Sequence, residues 1–188
     1  AVCCKVLERI IRDKIVTFLL SCGLIDDSQH GFLTGRSCNT QLLEVMENWC
    51  EFFYLGIPWD CIYMDFQKAF DSVPHERLLR KIYNFGIRGK LYQWIKAFLS
   101  NRRQRVWINE ACSEWSPVSS GIPQGSVLGP VLFIMFINDL PKSVSSLVKL
   151  FADDTKMFSK IGNQNDSIKL QYDINNLLHW SEKWQLSF

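Results

Sequence analysis

The sequence predicts an α+β fold in which an antiparallel sheet is backed by helices. One indication is residues 147–159, where an apolar run ends at Asp153 and Asp154 and a second short apolar run follows. This is the pattern of a β-hairpin with acids at its tip. Another is a short apolar strand over residues 60–66, which has Asp65 towards its C-terminal end. The other stretches mainly carry apolar residues at helical spacing, and a chain of 188 residues that is 47% hydrophobic can bury a large core.

The N-terminal part is predicted to contain two amphipathic helices joined by a loop. The first covers residues 4–20, ends near Gly23 and has a basic face that is either solvated or in contact with nucleic acid. The loop, residues 26–39, holds Arg36 between small residues, a setting that suits presentation of a guanidinium to phosphate. The second helix covers residues 40–55. We expect its core face to consist of Leu42, Leu43, Met46, Trp49, Cys50 and Phe53.

Two more helices and a hairpin are predicted after the first strand. Pro74 opens one helix and Gly86 closes it, and the other helix covers residues 90–99. Residues 102–108 then alternate and are expected to pair with residues 113–118. The start of this hairpin is the densest basic cluster of the chain, and it is either a solvated strand edge or a patch that contacts a nucleic-acid backbone. The cluster consists of Arg102, Arg103 and Arg105.

The segment 119–130 is predicted to be an unusual loop, because three glycines and two prolines fall within ten of its residues. It presents Gln124 and leads into an all-apolar helix at residues 131–137, which must be buried on most sides. After the acid-tipped hairpin, a last helix is predicted over residues 166–184, and a strand is predicted to begin at Trp184.

Composition narrows the classes of protein that fit. Seven cysteines without a C-x-x-C pair and only three histidines argue against a zinc site. They indicate reduced, mostly buried thiols of an intracellular protein. We expect the protein in the nucleus and the cytoplasm. The net charge of +2 is compatible with a nucleic-acid partner, and the longest apolar run, seven residues, is too short to span a membrane. The chain begins Ala-Val without a signal-peptide pattern, and we expect it to be a piece of a longer polypeptide.

Three carboxylates carry the predicted chemistry. If residues 60–66 and the acid-tipped hairpin are neighbours in one sheet, the side chains of Asp65, Asp153 and Asp154 converge. Adjacent buried acids repel each other, and a bound divalent cation removes that penalty. Carboxylates without His or Cys suit a hard cation, Mg²⁺ or alternatively Mn²⁺. A pair of such ions, about 3.5–4 Å apart, can activate an attacking hydroxyl and stabilise a leaving pyrophosphate.

Three segments in this order resemble the A, B and C motifs of reverse transcriptases. They are DFQKAFD at residues 65–71, GIPQGS at residues 121–126 and FADD at residues 151–154. Details of these motifs, and the HGF and GRS tripeptides at residues 30–32 and 35–37, resemble the non-LTR (LINE-type) retrotransposon enzymes in particular. The resemblance covers nearly the whole chain. It implies a right-hand polymerase palm with part of the fingers and no thumb, with the partial fingers in residues 1–58 and mainly palm in residues 59–188.

The resemblance also implies a role for each matching residue. Asp65 and Asp153 would be the principal metal ligands, with Asp154 beside them and the backbone carbonyl of Phe66 completing the shell. Phe70 would be the steric gate that leaves no room for a 2′-hydroxyl. The other implied nucleotide contacts are Gln124 and Gly125 near the templating base pair and Arg36 at the triphosphate or template.

The function implied by the resemblance is that of an RNA-directed DNA polymerase, which joins dNTPs to the 3′-hydroxyl of a DNA primer on an RNA template. In this family an endonuclease domain lies upstream and a thumb lies downstream, and we expect both in parts of a polyprotein outside this chain. Two other interpretations stay open. One is an inactive retroelement remnant that at most binds nucleic acid. The other is a metal-dependent phosphohydrolase, which would need neither the GIPQG loop nor an aromatic residue at Phe70.

Overall fold

A three-stranded antiparallel sheet lies at the centre of the computed structural model, which describes residues 2–188. The strand order is β1 (Trp59–Met64), β7 (Asp154–Lys160) and β6 (Leu147–Phe151), so β7 is hydrogen-bonded on both sides. The predicted strand and the predicted hairpin are therefore confirmed, and they are neighbours in one sheet. β1 ends one residue before Asp65.

The six helices that the sequence predicts all begin and end within two residues of their expected bounds. A seventh, the single turn α3, was not predicted. The helices are α1 (Val2–Ser21), α2 (Cys38–Tyr54), α3 (Ala69–Ser72), α4 (His75–Asn84), α5 (Gly89–Leu99), α6 (Gly129–Ile137) and α7 (Gln164–Trp184), with a 3₁₀ turn at Pro141–Ser143. Helices α2 and α7 pack against the sheet. The α+β class is confirmed. None of the helices described within residues 2–188 combines the length and the apolar character needed to cross a membrane.

The core is built around α6. Every residue from 131 to 137 is buried, as expected of a helix that is apolar on all sides. Leu78 and Ile82 of α4 belong to the same core, as do Leu177 and Trp180 of α7. Because α6 has no side that favours water, its packing also fixes the end of the loop that precedes it.

A buried lysine ties α4, α6 and α7 together. Lys81 donates hydrogen bonds to the carboxylate of Asp139, at 2.5 Å, and to the carbonyl of Phe136. Its ammonium also lies 3.6 Å from the ring centroid of Trp184 and 4.9 Å from that of Trp180. Burial lowers the pKa of Lys81 to about 8, although the charge of Asp139 opposes the change.

A buried acid on α7 fixes the turn that starts β6. Asp173 accepts four hydrogen bonds, from the backbone N–H and the hydroxyl of both Ser145 and Ser146. Burial raises the pKa of Asp173, but the hydrogen bonds from the two serines outweigh it and bring the pKa below its ordinary value. The turn is therefore held by charge-assisted hydrogen bonds.

The predicted core face of α2 is wrong. Leu43 is 69% exposed and Phe53 is 79% exposed, and the helix instead buries Val45 and Phe52 against Phe158 of β7. Of the six residues predicted to face the core, five are exposed and Trp49 is half-buried. The five exposed residues are Leu42, Leu43, Met46, Cys50 and Phe53. Because α2 carries apolar residues on more than one face, periodicity alone did not select the face that the sheet covers.

Burial near the N-terminus and among the cysteines also differs from expectation. In α1, Ile15 and Leu19 are buried, whereas Leu7 and Ile10 of the same apolar pattern are exposed. All seven cysteines are free, but six are exposed and Cys61 is only half-buried. The prediction of mostly buried thiols is therefore wrong.

The end of the chain is not the predicted strand. Trp184 is the last residue of α7, and the four residues after it are described without strand structure. Instead, Phe188 stacks on Phe66 with ring centroids 4.5 Å apart, and the carbonyl of Ser187 accepts a hydrogen bond from the N–H of Gln67 at 2.9 Å. These contacts hold the segment that follows β1.

The predicted hairpin after α5 is present as two short ladders. β2 (Arg103–Gln104) pairs with β5 (Ser116–Pro117), and β3 (Trp107–Ile108) pairs with β4 (Ala111–Cys112). Every residue from 103 to 117 is exposed. The hairpin therefore stands away from the core.

Candidate active site

Two of the predicted site acids lie side by side at one end of the sheet. In the β1–β7 ladder Met64 pairs with Thr155, so continuing the register by one residue places Asp65 opposite Asp154. Because the strands are antiparallel, β1 ends where β7 begins. The pairing itself therefore brings the two acids together.

The third acid, Asp153, lies in the turn between β6 and β7. Phe151 pairs with Asp154, so Ala152 and Asp153 form a two-residue connection. Ala152 has a φ of 54°, in the left-handed region that such tight turns commonly use. The predicted tip of the hairpin is thus a sharp turn with an acid in it and an acid directly after it.

The three carboxylates form an acidic cluster without compensating charge. Burial raises the pKa of Asp153, and the charges of Asp154 and Asp65 raise it further. Across residues 2–188, no ion pair with Lys, Arg or His involves any of the three. Nor do three Asp, Glu, His or Cys side chains in this described part converge closely enough to enclose a metal ion. The donor chemistry and the charge therefore fit a divalent cation, while the side chains do not form a closed cage.

A segment outside the three motifs supports the turn at Ala152 and Asp153, which we call the acid turn. The side-chain oxygen of Gln29 accepts hydrogen bonds from the backbone N–H of Gly31 at 2.7 Å and of Ala152 at 3.0 Å. Gln29 is 1% exposed. A Cβ on Gly31 would lie 2.3 Å from the nitrogen of Ala152, so only glycine allows this approach. Nothing in the local sequence assigns Gln29 a role.

The glycine-rich loop is hydrogen-bonded to the segment that follows β1. The N–H of Ile122 donates to the carbonyl of Phe70 at 2.7 Å, and the N–H of Gly121 donates to the carbonyl of Val73 at 2.8 Å. Gly121 has a φ of 84°, and a Cβ there would lie 2.7 Å from the carbonyl oxygen of Asp71. The first two motifs are therefore locked together at their backbones.

Phe70 is held in place by two other aromatic rings. It stacks on Phe133 of α6, with centroids 4.7 Å apart and planes at 22°, and meets Phe32 edge-on at 6.4 Å. Lys68 has a φ of 47°, which turns the chain sharply between β1 and α3. Phe70 remains half-buried, so part of its ring is accessible.

Gln124 is bound to the first motif through Asp71. Its Nε2 donates to the carboxylate of Asp71 at 2.9 Å, and both Gln124 and Gly125 are exposed. A cavity of about 540 Å³ borders Gln124 and Asp71, whereas Asp65 and Asp154 border a different cavity of about 330 Å³. The structure therefore groups the acids, and groups Gln124 with Asp71, without joining the two groups in one cavity.

The loop that carries Gln124 is also held from α1. Glu8 is 8% exposed, and its carboxylate accepts hydrogen bonds from the N–H of Val127 at 2.7 Å and of Leu128 at 3.2 Å. A carboxylate at the start of α6 interacts favourably with the helix dipole. Nothing in the sequence distinguishes Glu8 from the other charged residues of α1.

Arg36 is engaged within its own loop. Its guanidinium donates to the carbonyls of Gln29 at 2.6 Å, Asp27 at 3.0 Å and Asp26 at 3.3 Å, and to the carboxylate of Asp27 at 2.8 Å. In this arrangement Arg36 braces the loop. Its contact with a triphosphate or template stays a prediction.

The three arginines of the basic cluster lie in different surroundings. Arg102 donates to the carbonyls of Leu99, at 3.1 Å, and of Gly121, so it braces the glycine-rich loop. Arg103 and Arg105 are on the exposed hairpin.

Two indoles flank the exposed Arg105. Its guanidinium carbon lies 5.2 Å from the ring centroid of Trp107 and 4.7 Å from that of Trp115. The two rings are 60% and 54% exposed. The hairpin therefore offers cationic and aromatic groups on one surface.

Comparison with known proteins decides the family. The family model described as "Reverse transcriptase (RNA-dependent DNA polymerase)" matches residues 1–188. The chain belongs to this family. It is 30% identical over 188 residues to "Probable RNA-directed DNA polymerase from transposon X-element" of Drosophila melanogaster, and 30% identical over 198 residues to "RNA-directed DNA polymerase from mobile element jockey" of the same species. The predicted resemblance to reverse transcriptases of the non-LTR retrotransposon type is confirmed. Each of these alignments covers 97% of the chain and 21% of the relative, so the chain spans about a fifth of the relatives' length.

Solved structures agree on the fold of this reverse transcriptase domain. Apo telomerase from Candida tropicalis, truncated from its C-terminal domain, superposes with a TM-score of 0.65 at 12% identity, over 89% of this chain and 36% of that one. Telomerase from Candida albicans in complex with the TWJ fragment of telomeric RNA gives a TM-score of 0.60 at 10% identity, over 98% and 33%. At these identities the likeness establishes the fold alone. It confirms the predicted polymerase architecture.

Proposed function

We propose that this chain forms the catalytic core of an RNA-directed DNA polymerase, which adds dNTPs to the 3′-hydroxyl of a DNA primer on an RNA template. The observation that carries the proposal is the arrangement at the end of the sheet. There the register of β1 and β7 sets Asp65 beside Asp154, and the two-residue turn adds Asp153. We assign residues 1–58 to part of the fingers and residues 59–188 mainly to the palm of a longer intracellular polyprotein, which also carries a thumb and an endonuclease.

In this proposal Asp65, Asp153 and Asp154 bind Mg²⁺, or alternatively Mn²⁺, together with the backbone carbonyl of Phe66. When bound, two such ions would activate the primer hydroxyl and neutralise charge on the leaving pyrophosphate. The pKa of Asp153, raised by burial and by the charges of Asp154 and Asp65, supports the assignment, because a bound cation offsets both effects. The task of the protein is to hold these carboxylates in fixed directions around the reacting phosphate.

Phe70 selects the sugar in this proposal. Its stack on Phe133 holds the ring against a buried helix. The ring would therefore keep a fixed position beside a bound nucleotide. A 2′-hydroxyl would overlap such a ring, whereas a deoxyribose would fit. Gln124 and Gly125 would line the same nucleotide site, and Arg36 would reach the triphosphate or template only after releasing its loop contacts.

The exposed hairpin would contact the nucleic acid. Arg103 and Arg105 can neutralise backbone phosphates, and Arg102 would support them from the base of the hairpin. Trp107 and Trp115 can stack on unpaired bases.

The test is primer extension on an RNA template with Mg²⁺ and dNTPs, in which the parent chain is compared with Asp153→Asn. Extension by the parent and none by the variant is the expected result. Phe70→Ala should increase ribonucleotide use relative to deoxynucleotide use by at least about tenfold, since it removes the steric wall. Retained extension in Asp153→Asn would refute the metal-ligand assignment. Absence of extension in the parent, and in a longer chain of the same element, would favour the inactive remnant.

A further inference from the structure

A buried glutamine outside the three motifs contacts the turn that carries Asp153. Gln29 lies in the loop between α1 and α2, and its Oε1 accepts a hydrogen bond from the N–H of Ala152 at 3.0 Å. Ala152 is itself only 4% exposed. Its N–H falls in the turn rather than in the strand ladder, so without Gln29 it would be a buried donor that lacks its acceptor.

Backbone hydrogen bonds dock the same loop against β6. The N–H of Leu150 donates to the carbonyl of Ser28, and the N–H of His30 donates to the carbonyl of Leu150, both at 2.8 Å. Gln29 thereby lies opposite Leu150 in a parallel bridge. Since Gly31 leaves no space beside Ala152, the turn cannot shift towards the loop. The acid turn therefore packs directly against the loop between α1 and α2.

The amide of Gln29 has only one favourable orientation. Its two close neighbours, the N–H groups of Gly31 and Ala152, are both donors, so the oxygen must face them. This leaves Nε2 buried and, within the described residues 2–188, without a hydrogen-bond partner. An apolar side chain would avoid that cost. The glutamine is therefore explained by its acceptor oxygen rather than by packing.

We propose that Gln29 is a positioning residue for the polymerase reaction. By holding the N–H of Ala152 it fixes the peptide between Phe151 and Ala152, where the turn begins, and so sets the direction of the Asp153 carboxylate one residue further on. Its effect on metal binding rests on the proposed function, whereas its hydrogen bond to the turn does not. Gln29 itself touches neither nucleotide nor metal in this proposal.

The test uses three variants of the full chain. Gln29→Met keeps the length of the side chain and removes the acceptor, and Gln29→Glu keeps an acceptor oxygen. Asn138→Ala is the matched control, because Asn138 is a buried amide that bonds the backbone of Asp26 and Leu24, both at 2.9 Å, and does not contact the acid turn. All variants are first compared for thermal unfolding, so that effects on overall stability are known.

Hydrogen exchange at the Ala152 amide tests the contact itself. Loss of one hydrogen bond should make this amide exchange about tenfold faster in Gln29→Met, and not in Gln29→Glu or Asn138→Ala. Equal exchange at Ala152 in Gln29→Met and in the parent would overturn the proposal. Faster exchange in the Asn138→Ala control by the same factor would also overturn it, because the effect would then be one of general stability.

Binding of Mn²⁺ alone, followed by electron paramagnetic resonance, tests the consequence for the acids. Affinity should fall about tenfold in Gln29→Met and recover in Gln29→Glu, because loss of a residue that helps to orient a metal ligand typically weakens metal binding by at least this factor. Unchanged affinity in Gln29→Met would show that Gln29 stabilises the turn without positioning Asp153. Equal binding by the parent and Asp153→Asn would instead refute the proposed metal site, and hydrogen exchange would then decide the hydrogen-bond part of the proposal by itself.

Discussion

The buried ammonium of Lys81 should make the stability of the chain depend on alkaline pH. Its pKa falls from an ordinary 10.5 to about 8 in the folded chain, first because burial disfavours the charge. The folded state therefore releases this proton at lower pH than the unfolded state. Hence the free energy of unfolding rises as the pH goes from about 8 to 10.5. The rise amounts to about 3 kcal/mol in total, with a slope of up to about 1.4 kcal/mol per pH unit.

The substitution Lys81→Met isolates this effect. Methionine keeps an unbranched side chain against Trp180 and Trp184 but carries no charge, so the variant should lack the rise. The substitution also removes the donor to Asp139 and to the carbonyl of Phe136, so the quantity to compare is the change of the stability difference with pH rather than its value at pH 7. Urea unfolding of both proteins from pH 7 to pH 10.5 gives the difference between their free energies of unfolding, in which other titrating groups cancel. That difference should move by about 3 kcal/mol in favour of the parent over this range.

A stability difference between Lys81→Met and the parent that does not change with pH would contradict this prediction. It would mean that Asp139 compensates fully for the burial of Lys81 and that the pKa of the lysine stays near its ordinary value. The variant Asp139→Asn tests the direction in which Asp139 changes the pKa of Lys81. Removal of that carboxylate should lower the pKa of Lys81 further, so the rise in stability should begin below pH 8.

Four further substitutions test other parts of the structure by urea unfolding. Glu8→Ala should cost about 1–3 kcal/mol, because two backbone donors at the start of α6 lose their acceptor, and an unchanged midpoint would contradict the capping role. Asp173→Ala should cost about 3 kcal/mol at pH 7. Since the pKa of Asp173 is lowered on folding, the part of this contribution that depends on its charge should be lost as the pH falls through and below its ordinary value of 3.8, and a constant difference down to pH 2 would exclude it. Phe52→Ala should cost about 3–5 kcal/mol and Leu43→Ala less than about 0.5 kcal/mol, whereas similar costs would restore the original assignment of the α2 core face.

The parts of the fold that could be predicted are those whose local pattern has one physical interpretation. Seven consecutive apolar residues at 131–137 must be buried whichever way α6 packs. Two adjacent acids between apolar runs at residues 147–159 favour a turn, and the structure places Asp153 in the turn and Asp154 at the exposed start of β7. For α2 the pattern has more than one interpretation, since only the sheet determines which apolar face is covered. Leu43 is exposed and Val45 is buried because of the way α2 packs against the sheet.

In the candidate site, too, some residues could be predicted from the sequence and others could not. Asp65, Phe70 and Gln124 could be recognised because they fall within motifs whose order and spacing are informative. Gln29 and Glu8 could not, because their partners lie 123 and 119 residues away in the chain and the hydrogen bonds exist only in the assembled fold. Local sequence therefore identifies the groups assigned to the chemistry, whereas the groups that hold them in place emerge only from tertiary structure.

The exposed thiols have a practical consequence for work with this chain. Cys3 and Cys4 are adjacent on α1, and Cys50 lies on the apolar face of α2 that is left uncovered, so collisions between molecules can bring these sulfurs together. A thiolate that is accessible to solvent is open to oxidation and disulfide formation in air. Cross-linked dimers and larger species are therefore expected in aerated buffer. An oligomer of this chain should be regarded as native only if it persists in the presence of a reductant.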